Sequence, residues 1–335
     1  MINQNQPIQV AVVGCGGFAT GMHLPNLAAL PAYHLHTVSD IDEGRARRVA
    51  EQYGIAYATA DYRRILEDRA VDLVVITTPH NEHAAMAIAT AQAGKHILLE
   101  KPMGMTVAET RAVVQAVREA GVTFAIGFNR RFAPLSQRLA ELLAERPQPW
   151  LLRYRMVDAV WTHWAIDPVM GGGRIISETC HIFDYLCWLT GSEPLRVFAE
   201  AGALTHPQYP TTQDNAVITL RFANGSMASI THGDLGHNDY PKECIEIFCG
   251  HGALVLTNFQ HLEAFGIPEL QQPIALPAID KGHRRELEVL AEAIHSGHRV
   301  PIDERAGERA MTLCFAAIAS AGSGQAVTLH PGEWA

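Results

Sequence analysis

The segment IQVAVVGCGGFA, residues 8–19, carries a β-branched run from Ile8 to Val13 straight into a glycine-rich turn. Gly14, Gly16 and Ala19 fit GxGxxA, with Gly17 and Phe18 between them and alanine standing where a third glycine usually lets helix approach strand. Each position has a physical task. Gly14 makes the tight turn, Gly16 lets backbone approach a pyrophosphate, and the N-terminus of the following helix offers that pyrophosphate free N–H groups. Cys15 reads as a small filler within the loop. The loop alone is a weak signal, but the next strand-like run, YHLHTVSD, ends in Asp40, 24 residues after Gly16. A carboxylate there accepts hydrogen bonds from an adenosine ribose and repels a 2′-phosphate. No arginine follows immediately, Arg45 standing five residues on, so NAD is the expected cofactor and NADP the less favoured one.

The alternation then continues. Helical patterns DEGRARRVAEQYG and YRRILED, strand VDLVVITTP, helix NEHAAMAIATAQAG, strand KHILLEKP, helix VAETRAVVQAVREAG and strand VTFAIGF follow in turn. Such an order means parallel strands with crossover helices, which makes residues 1–127 an α/β, doubly wound Rossmann domain. Ligands bind beyond the carboxyl ends of such strands. That rule brings Thr77, Thr78, Pro79 and His80 of TTPHNEH, with Glu100 and Lys101 of EKPMG, to one crevice as cofactor-binding candidates.

Residues 128–335 read differently. After the helix-favouring PLSQRLAELLAERPQP come strand-like WLLRYRMVDAV, LRVFAEAGAL, NAVITLRFANGSMASITHG, CIEIFCGHGALVLTN and HLEAFGI, with Asn224-Gly225 marking a hairpin. Helical RRELEVLAEAIHSG and GERAMTLCFAAIASAGSG close the chain. Two domains suit 335 residues that are 48% hydrophobic and 18% charged. A net charge of -9 argues against nucleic acid or an anionic membrane as partner. The start MINQNQPIQV lacks the basic and apolar regions of a secretory signal, so a cytoplasmic protein is expected. The six cysteines show no zinc spacing. His232, Asp234, His237 and Asp239 fall in a turn-rich loop, and no metal is expected.

One histidine stands out. In GGGRIISETCHIFDY, His181 has Glu178 three residues before it and Asp184 three after, so both can flank it on a helical face. At about 100° per residue, Ser177 lies roughly 40° to one side of His181 and Glu178 roughly 60° to the other. Arg174, the cluster Asn129, Arg130 and Arg131, and Trp164 of HWAIDP are further candidates. Guanidinium or amide groups can hold hydroxyls, and an indole can stack on the apolar face of a sugar ring.

Taken in order, GCGGFA, TTPHNEHAAMAIATAQAGKHILLEKP, GFNRRFAP and GGGRIISETCHIFDYL resemble the successive signatures of the Gfo/Idh/MocA oxidoreductases, across nearly the whole chain. The EKP after a strand and the GGG-x7-H block are the specific parts. The resemblance implies a C-terminal α+β domain, 128–335, built on a large, mostly antiparallel open sheet that binds substrate and packs a homodimer or homotetramer. It also implies a catalytic pair that maps onto Lys101 and His181. Oxidising a carbinol requires a base for the hydroxyl proton as hydride leaves carbon, and the reverse reaction requires an acid; lysine and histidine serve both. A lysine of ordinary pKa about 10.4 stays charged, and burial beside a cationic nicotinamide lowers it.

Family members usually carry an aspartate four residues before the histidine, where this chain has Ser177. Glu178 is the expected replacement and Asp184 its competitor. The reading is an NAD-dependent dehydrogenase acting on the CH–OH of a sugar, cyclitol or derivative, with Lys101, Asn129, Arg131, Trp164, Arg174 and His181 facing substrate. Alternatives are glycoside cleavage assisted by tightly held NAD, a cofactor-loaded regulatory module without turnover, and oxidation of a carboxylated or aromatic diol.

Overall fold

A computed structural model of the chain describes residues 6–330; the first residues of the segment read above for a leader lie outside them. The described chain forms two compact units. One holds the residues through Phe128 together with His283–Glu308, the other Asn129–Gly282 and the chain from Arg309 onward.

The first unit is a six-stranded sheet: β1 Ile8–Val13, β2 Tyr33–Ser39, β3 Tyr57–Thr59, β4 Leu73–Ile76, β5 His96–Leu99 and β6 Phe124–Ile126, in the order β3-β2-β1-β4-β5-β6. Every neighbouring pair is parallel. Strands of such a sheet are covered on both faces and read as continuous apolar runs, as LVVI of β4 does with all four residues buried. The helices are α1 Leu24–Ala29, entered through a π-helical turn Ala19–His23, then α2 Glu43–Tyr53, α3 Arg63–Glu67, α4 His80–Gln92 and α5 Val107–Ala120. Local chemistry sets their ends. Asp42 caps α2 and Gly54 closes it in the left-handed region, while Thr106 and Glu109 form a capping box on α5. Strand order reverses between β1 and β4, and at that switch point the carboxyl ends open a crevice.

Residues 283–308, assigned above to 128–335, group with this first unit. Tyr33 donates its hydroxyl to the Leu287 carbonyl at 2.6 Å, and the Ile126 amide donates to the Ile302 carbonyl at 2.9 Å. Strand β3 escaped the sequence reading because three edge residues, only one of them buried, carry no usable period.

The second unit is a nine-stranded sheet of β7 Leu151–Val157, β8 Pro194–Gly202, β9 Asn215–Phe222, β10 Met227–Gly233, β11 Glu243–Cys249, β12 Gly252–Thr257, β13 His261–Phe265, β14 Ile274–Ala275 and β15 Val327–Thr328. Its order is β14-β13-β12-β11-β7-β10-β9-β8-β15. In this sheet, among the described residues, only β7 and β10 pair in parallel. Alternating burial along β7 and β9 gives one packed face and one open face. Helices α6 Pro134–Ala144 and α7 Cys180–Thr190 serve the packed face, where Tyr185 of α7 meets Tyr154 of β7 edge-on at 5.8 Å. Helix α8, His283–Ser296, precedes α9, Glu304–Ser323. No helix among the described residues is long and apolar enough to cross a membrane.

Candidate active site

The β1–β4 switch point is tightly built. Gly14 has φ +92, and a Cβ there would stand 2.7 Å from the Thr77 carbonyl oxygen, so only glycine fits. Thr77 closes the same gap from the other strand, its hydroxyl donating to the Gly14 carbonyl at 2.6 Å. At Gly16 and Gly17 an added Cβ would meet nothing within 4 Å, so the outer face of the loop is open to whatever approaches its backbone. The loop therefore fits a dinucleotide pyrophosphate.

Asp40, at the end of β2, is only 6% exposed. Its Oδ2 accepts the Cys15 amide at 2.8 Å and its Oδ1 the Asp42 amide at 2.8 Å. Arg45, in the first turn of α2, reaches back with Nη1 to 3.2 Å from Oδ2 and 3.4 Å from Oδ1. Five residues of sequence thus become direct contact once Asp42 caps α2 and Arg45 falls in its first turn, which the sequence reading did not foresee. Burial, more than the neighbouring carboxylate of Asp40, pushes the Cys15 thiol up to about 12, as befits an inert filler.

Thr78, Pro79 and His80 lead from β4 into α4, and Glu100 and Lys101 follow β5. Two histidines missed in the sequence hold these strand ends together. His83, fully buried on α4, lies between the Thr78 carbonyl at 2.9 Å and the Pro102 carbonyl at 2.8 Å. Burial pushes its pKa below the ordinary histidine value. His23, on the π-turn after the glycine loop, puts Nε2 2.8 Å from Glu100 Oε1. Burial alone would raise Glu100, but His23, with Lys101 and His283 beside it, outweighs burial and holds the carboxyl below its usual range. Glu100 Oε2 in turn accepts the Lys101 amide at 3.3 Å, fixing the turn that carries the lysine. Phe18, 44% exposed, stands edge-on to His23 at 5.3 Å.

In the second unit, His181 is the second residue of α7, 5% exposed, and Cys180 separates it from a π-helical turn Ile175–Thr179. A π-turn closes i→i+5 hydrogen bonds, so angles reckoned at 100° per residue do not hold across Ser177 and Glu178. The Glu178 carboxylate faces Lys242, Oε2 accepting from Nζ at 3.0 Å. Lys242 also pairs with Asp158 at 2.9 Å. Burial alone would depress the lysine, but these two carboxylates together with Glu243 outweigh it and hold its pKa above the ordinary value.

Asp184, the competing partner for His181, is spent on Arg131: Nε donates to Oδ2 at 2.7 Å and Nη2 to Oδ1, both residues deeply buried. Asn129 donates to the Lys281 carbonyl at 2.8 Å, and Arg130 makes a two-pronged pair with Glu243 at 2.9 and 3.0 Å. Arg174 is wholly buried, its guanidinium 3.6 Å from the Trp161 ring centre, with Nη2 donating to Asp158 at 2.8 Å. Nε and Nη1 of Arg174 find no hydrogen-bond partner among the described residues. Thus Asn129, Arg131 and Arg174, expected against substrate, all make contacts inside the unit. Trp164 is 40% exposed, which a core residue would not be. Thr179 and His232 share a hydrogen bond of 2.6 Å, and burial, with Arg174 nearby, pushes His232 well below the ordinary value. The glycines before His181 answer to their own unit: a Cβ at Gly171 would lie 2.2 Å from the Ala165 Cα, and one at Gly173 2.8 Å from Thr212.

Among the described residues His206, Asp214 and Asp234 gather closely enough to surround a cation. Their atoms are already engaged. His206 Nδ1 is 2.9 Å from Asp214 and Nε2 2.7 Å from the Trp161 carbonyl, while Asp234 accepts the Trp161 amide at 3.2 Å. Burial would raise Asp214, but its hydrogen bonds, led by Asn215 and Thr205, bring it down to about 2. The group is a knot that ties the Trp161 loop to the start of β9.

Residues 8–128 match the Gfo/Idh/MocA oxidoreductase family, NAD-binding Rossmann fold, and residues 146–255 match the Gfo/Idh/MocA C-terminal domain. YrbE, an uncharacterized oxidoreductase of Bacillus subtilis, is 30% identical over 97% of this chain and 98% of its own. The myo-inositol 2-dehydrogenase of Thermotoga maritima is 27% identical over 92% of this chain and 95% of its own. A crystal structure of a probable dehydrogenase from Thermotoga maritima superposes with a TM-score of 0.83 at 26% identity, covering 96% of this chain and 98% of that one.

Proposed function

Because the chain belongs to the Gfo/Idh/MocA oxidoreductase family, we propose that it moves hydride between a nicotinamide dinucleotide, NAD by preference, and a carbinol carbon of a sugar or cyclitol. The observation that carries the reading is Asp40 closing on the glycine loop at the β1–β4 switch point. The dinucleotide supplies the carbon that accepts or gives hydride. The backbone of Gly14 to Ala19 holds its pyrophosphate, Asp40 takes the ribose hydroxyls, and Thr77, Thr78, Pro79 and His80 line the remaining strand end.

Lys101, held in its turn by Glu100, removes the substrate hydroxyl proton during oxidation and returns it during reduction. His181 is the residue of the second unit proposed for the same chemistry, an imidazole able to hydrogen-bond a substrate oxygen and to take or return a proton. Glu178 acts through Lys242, which it positions, rather than by charging His181. The half-exposed Trp164 offers the apolar face of a pyranose or cyclitol an aromatic surface. A cyclitol substrate is supported by the likeness to a myo-inositol 2-dehydrogenase.

The open sheet face supports a homodimer or homotetramer. Leu151, Met227 and Phe248, each about half exposed, sit side by side in register across β10, β7 and β11, an apolar row suited to a second copy. The decisive experiment is a panel of cyclitols, polyols and aldoses with NAD and NADP, followed by the near-ultraviolet absorbance of the reduced nicotinamide. Turnover of at least one cyclitol or sugar is expected. Failure of every CH–OH compound would sink the reading.

A further inference from the structure

Resting on the reading of the chain as a dehydrogenase of sugars or cyclitols, we propose that Lys242, held between Asp158 and Glu178, is a subsite for a neutral hydroxyl of the substrate, so that uncharged polyols are preferred to sugar acids. Strand direction makes the site. β7 and β10 run parallel and β11 runs antiparallel to β7. Asp158 just after β7, Gly233 at the end of β10 and Lys242 just before β11 therefore share one edge of the sheet. The π-turn Ile175–Thr179 brings Glu178 to that edge, three residues before His181. Arg174 reaches it as well, Nη2 donating to Asp158 at 2.8 Å and to the Gly233 carbonyl at 3.2 Å.

An ammonium has three N–H bonds. On Lys242 two of them go to Glu178 at 3.0 Å and Asp158 at 2.9 Å, and two fixed corners of a tetrahedron fix the third. The Trp161 ring centre, 5.2 Å from Nζ, is a weaker neighbour than either carboxylate. The lysine side chain is 29% exposed, against 15% for Asp158 and 9% for Glu178, so of the three it is the one a ligand reaches. Asp158 is nearly full. A carboxylate offers about four lone-pair directions, and Lys242, Arg174 and Trp161, whose Nε1 donates at 2.9 Å, take three of them. The remainder is one directed donor with one acceptor beside it, a pair that a hydroxyl completes by accepting from Lys242 and donating to Asp158. A substrate carboxylate accepts but cannot donate. Charge counts against it too, because Lys242 and Arg174 are balanced by Asp158 and Glu178 before any ligand arrives. Arg130 and Lys281 both close on the neighbouring Glu243, at 2.9 and 2.6 Å. An arriving anion therefore meets cations that are already paired, and its lost hydration is poorly replaced.

The test extends the panel of neutral cyclitols and aldoses by their monodeoxy analogues and by D-glucuronate and D-galacturonate, with kcat and KM measured for the wild type, Lys242→Met and Glu178→Gln. The wild type is expected to favour the neutral aldose over its uronate by about tenfold or more in kcat/KM. Lys242→Met should raise KM for the best neutral substrate about tenfold with NADH binding retained. One monodeoxy analogue should show the same loss with the wild type and no further loss with Lys242→Met, because the missing hydroxyl and the missing ammonium are two halves of one contact. Glu178→Gln leaves the cluster one positive charge in excess, so it should narrow the ratio of neutral sugar to uronate about tenfold, a change that lost packing alone does not produce. That ratio is read without Lys242→Met and decides the matter should the variant fail to fold. Losses that add for every deoxy analogue, an unaltered KM in Lys242→Met, a ratio unmoved in Glu178→Gln, or a wild type that prefers uronates would each overturn the subsite while the dehydrogenase reading stands. Turnover of no compound at all overturns that reading, and the subsite with it.

Discussion

Glu178 has two bases within reach of its chain position: His181, three residues on in sequence, and Lys242, which the fold brings to 3.0 Å. Lys242 has the stronger claim because it carries its charge throughout the neutral range, whereas an imidazole must first be protonated. Glu178→Gln leaves a mostly buried ammonium short of one partner, a loss on the order of 2 kcal/mol. Replacing Lys242 by methionine leaves the carboxylate exposed to the same penalty. If the pair acts as a clamp, Glu178→Gln should raise KM and lower the melting temperature but leave the acidic limb of the kcat/KM profile where it is. A displaced limb would return Glu178 to His181. Lys101→Ala should lose about a hundredfold or more in kcat, the range for a general acid or base, with NADH binding retained; unchanged turnover would remove Lys101 from the chemistry. At this scale, residues tied to a strand end were legible: Asp40 and Lys101 could be placed because β2 and β5 could. Lys242 and Arg45 were not, since their partners depend on chain closure and on where a helix cap falls.

Glycines separate the two kinds of element. The loop after β1 keeps glycines at 16 and 17 where a Cβ would meet nothing within 4 Å, so packing does not require them, as the proposed pyrophosphate site would. Gly16→Ala should therefore leave thermal stability within about 0.5 kcal/mol while weakening NADH binding. Gly171 is the reverse case, because a Cβ there runs into the backbone of Ala165 rather than a movable side chain. Gly171→Ala should cost about 1–3 kcal/mol. Chemical denaturation of both variants checks the pair, and a destabilised Gly16→Ala that still binds NADH normally would contradict the assignment of the loop. Strands and long helices were legible as elements because their periods persist over several residues. The π-turns at Ala19–His23 and Ile175–Thr179 were not, because the extra residue per turn leaves no mark on an apolar pattern and is set by what the turn packs against.

For the whole molecule, sequence order was a poor guide to grouping at one point, since residues 283–308 return to the first unit through backbone partners that no side-chain pattern announces. A property shared by both units is the partial or full desolvation of histidines. His83 and His96 in the first and His232 in the second have pKa values pushed below the ordinary 6.5, in each case chiefly by burial. The sign follows from proton linkage. Below about 6.5 the unfolded chain takes up a proton at each of these histidines that the folded chain refuses, so their contribution to stability is complete above that value and is lost as pH falls toward the folded pKa. Each such group removes about 1.4 kcal/mol per pH unit across that window. Carboxylates act elsewhere: Asp214, held at about 2 against an ordinary 3.8, gives up its share only below that ordinary value. Other titrating groups contribute to the wild-type slope, so the clean measurement is a difference. His232→Gln removes one proton-refusing site, and the stability of the variant relative to wild type, from urea melts at pH 7, 6 and 5, should rise steadily as pH falls below about 6.5, by about 1.4 kcal/mol per unit. A difference that stays constant from pH 7 to 5 would mean that His232 takes up its proton in the folded state as readily as in the unfolded one.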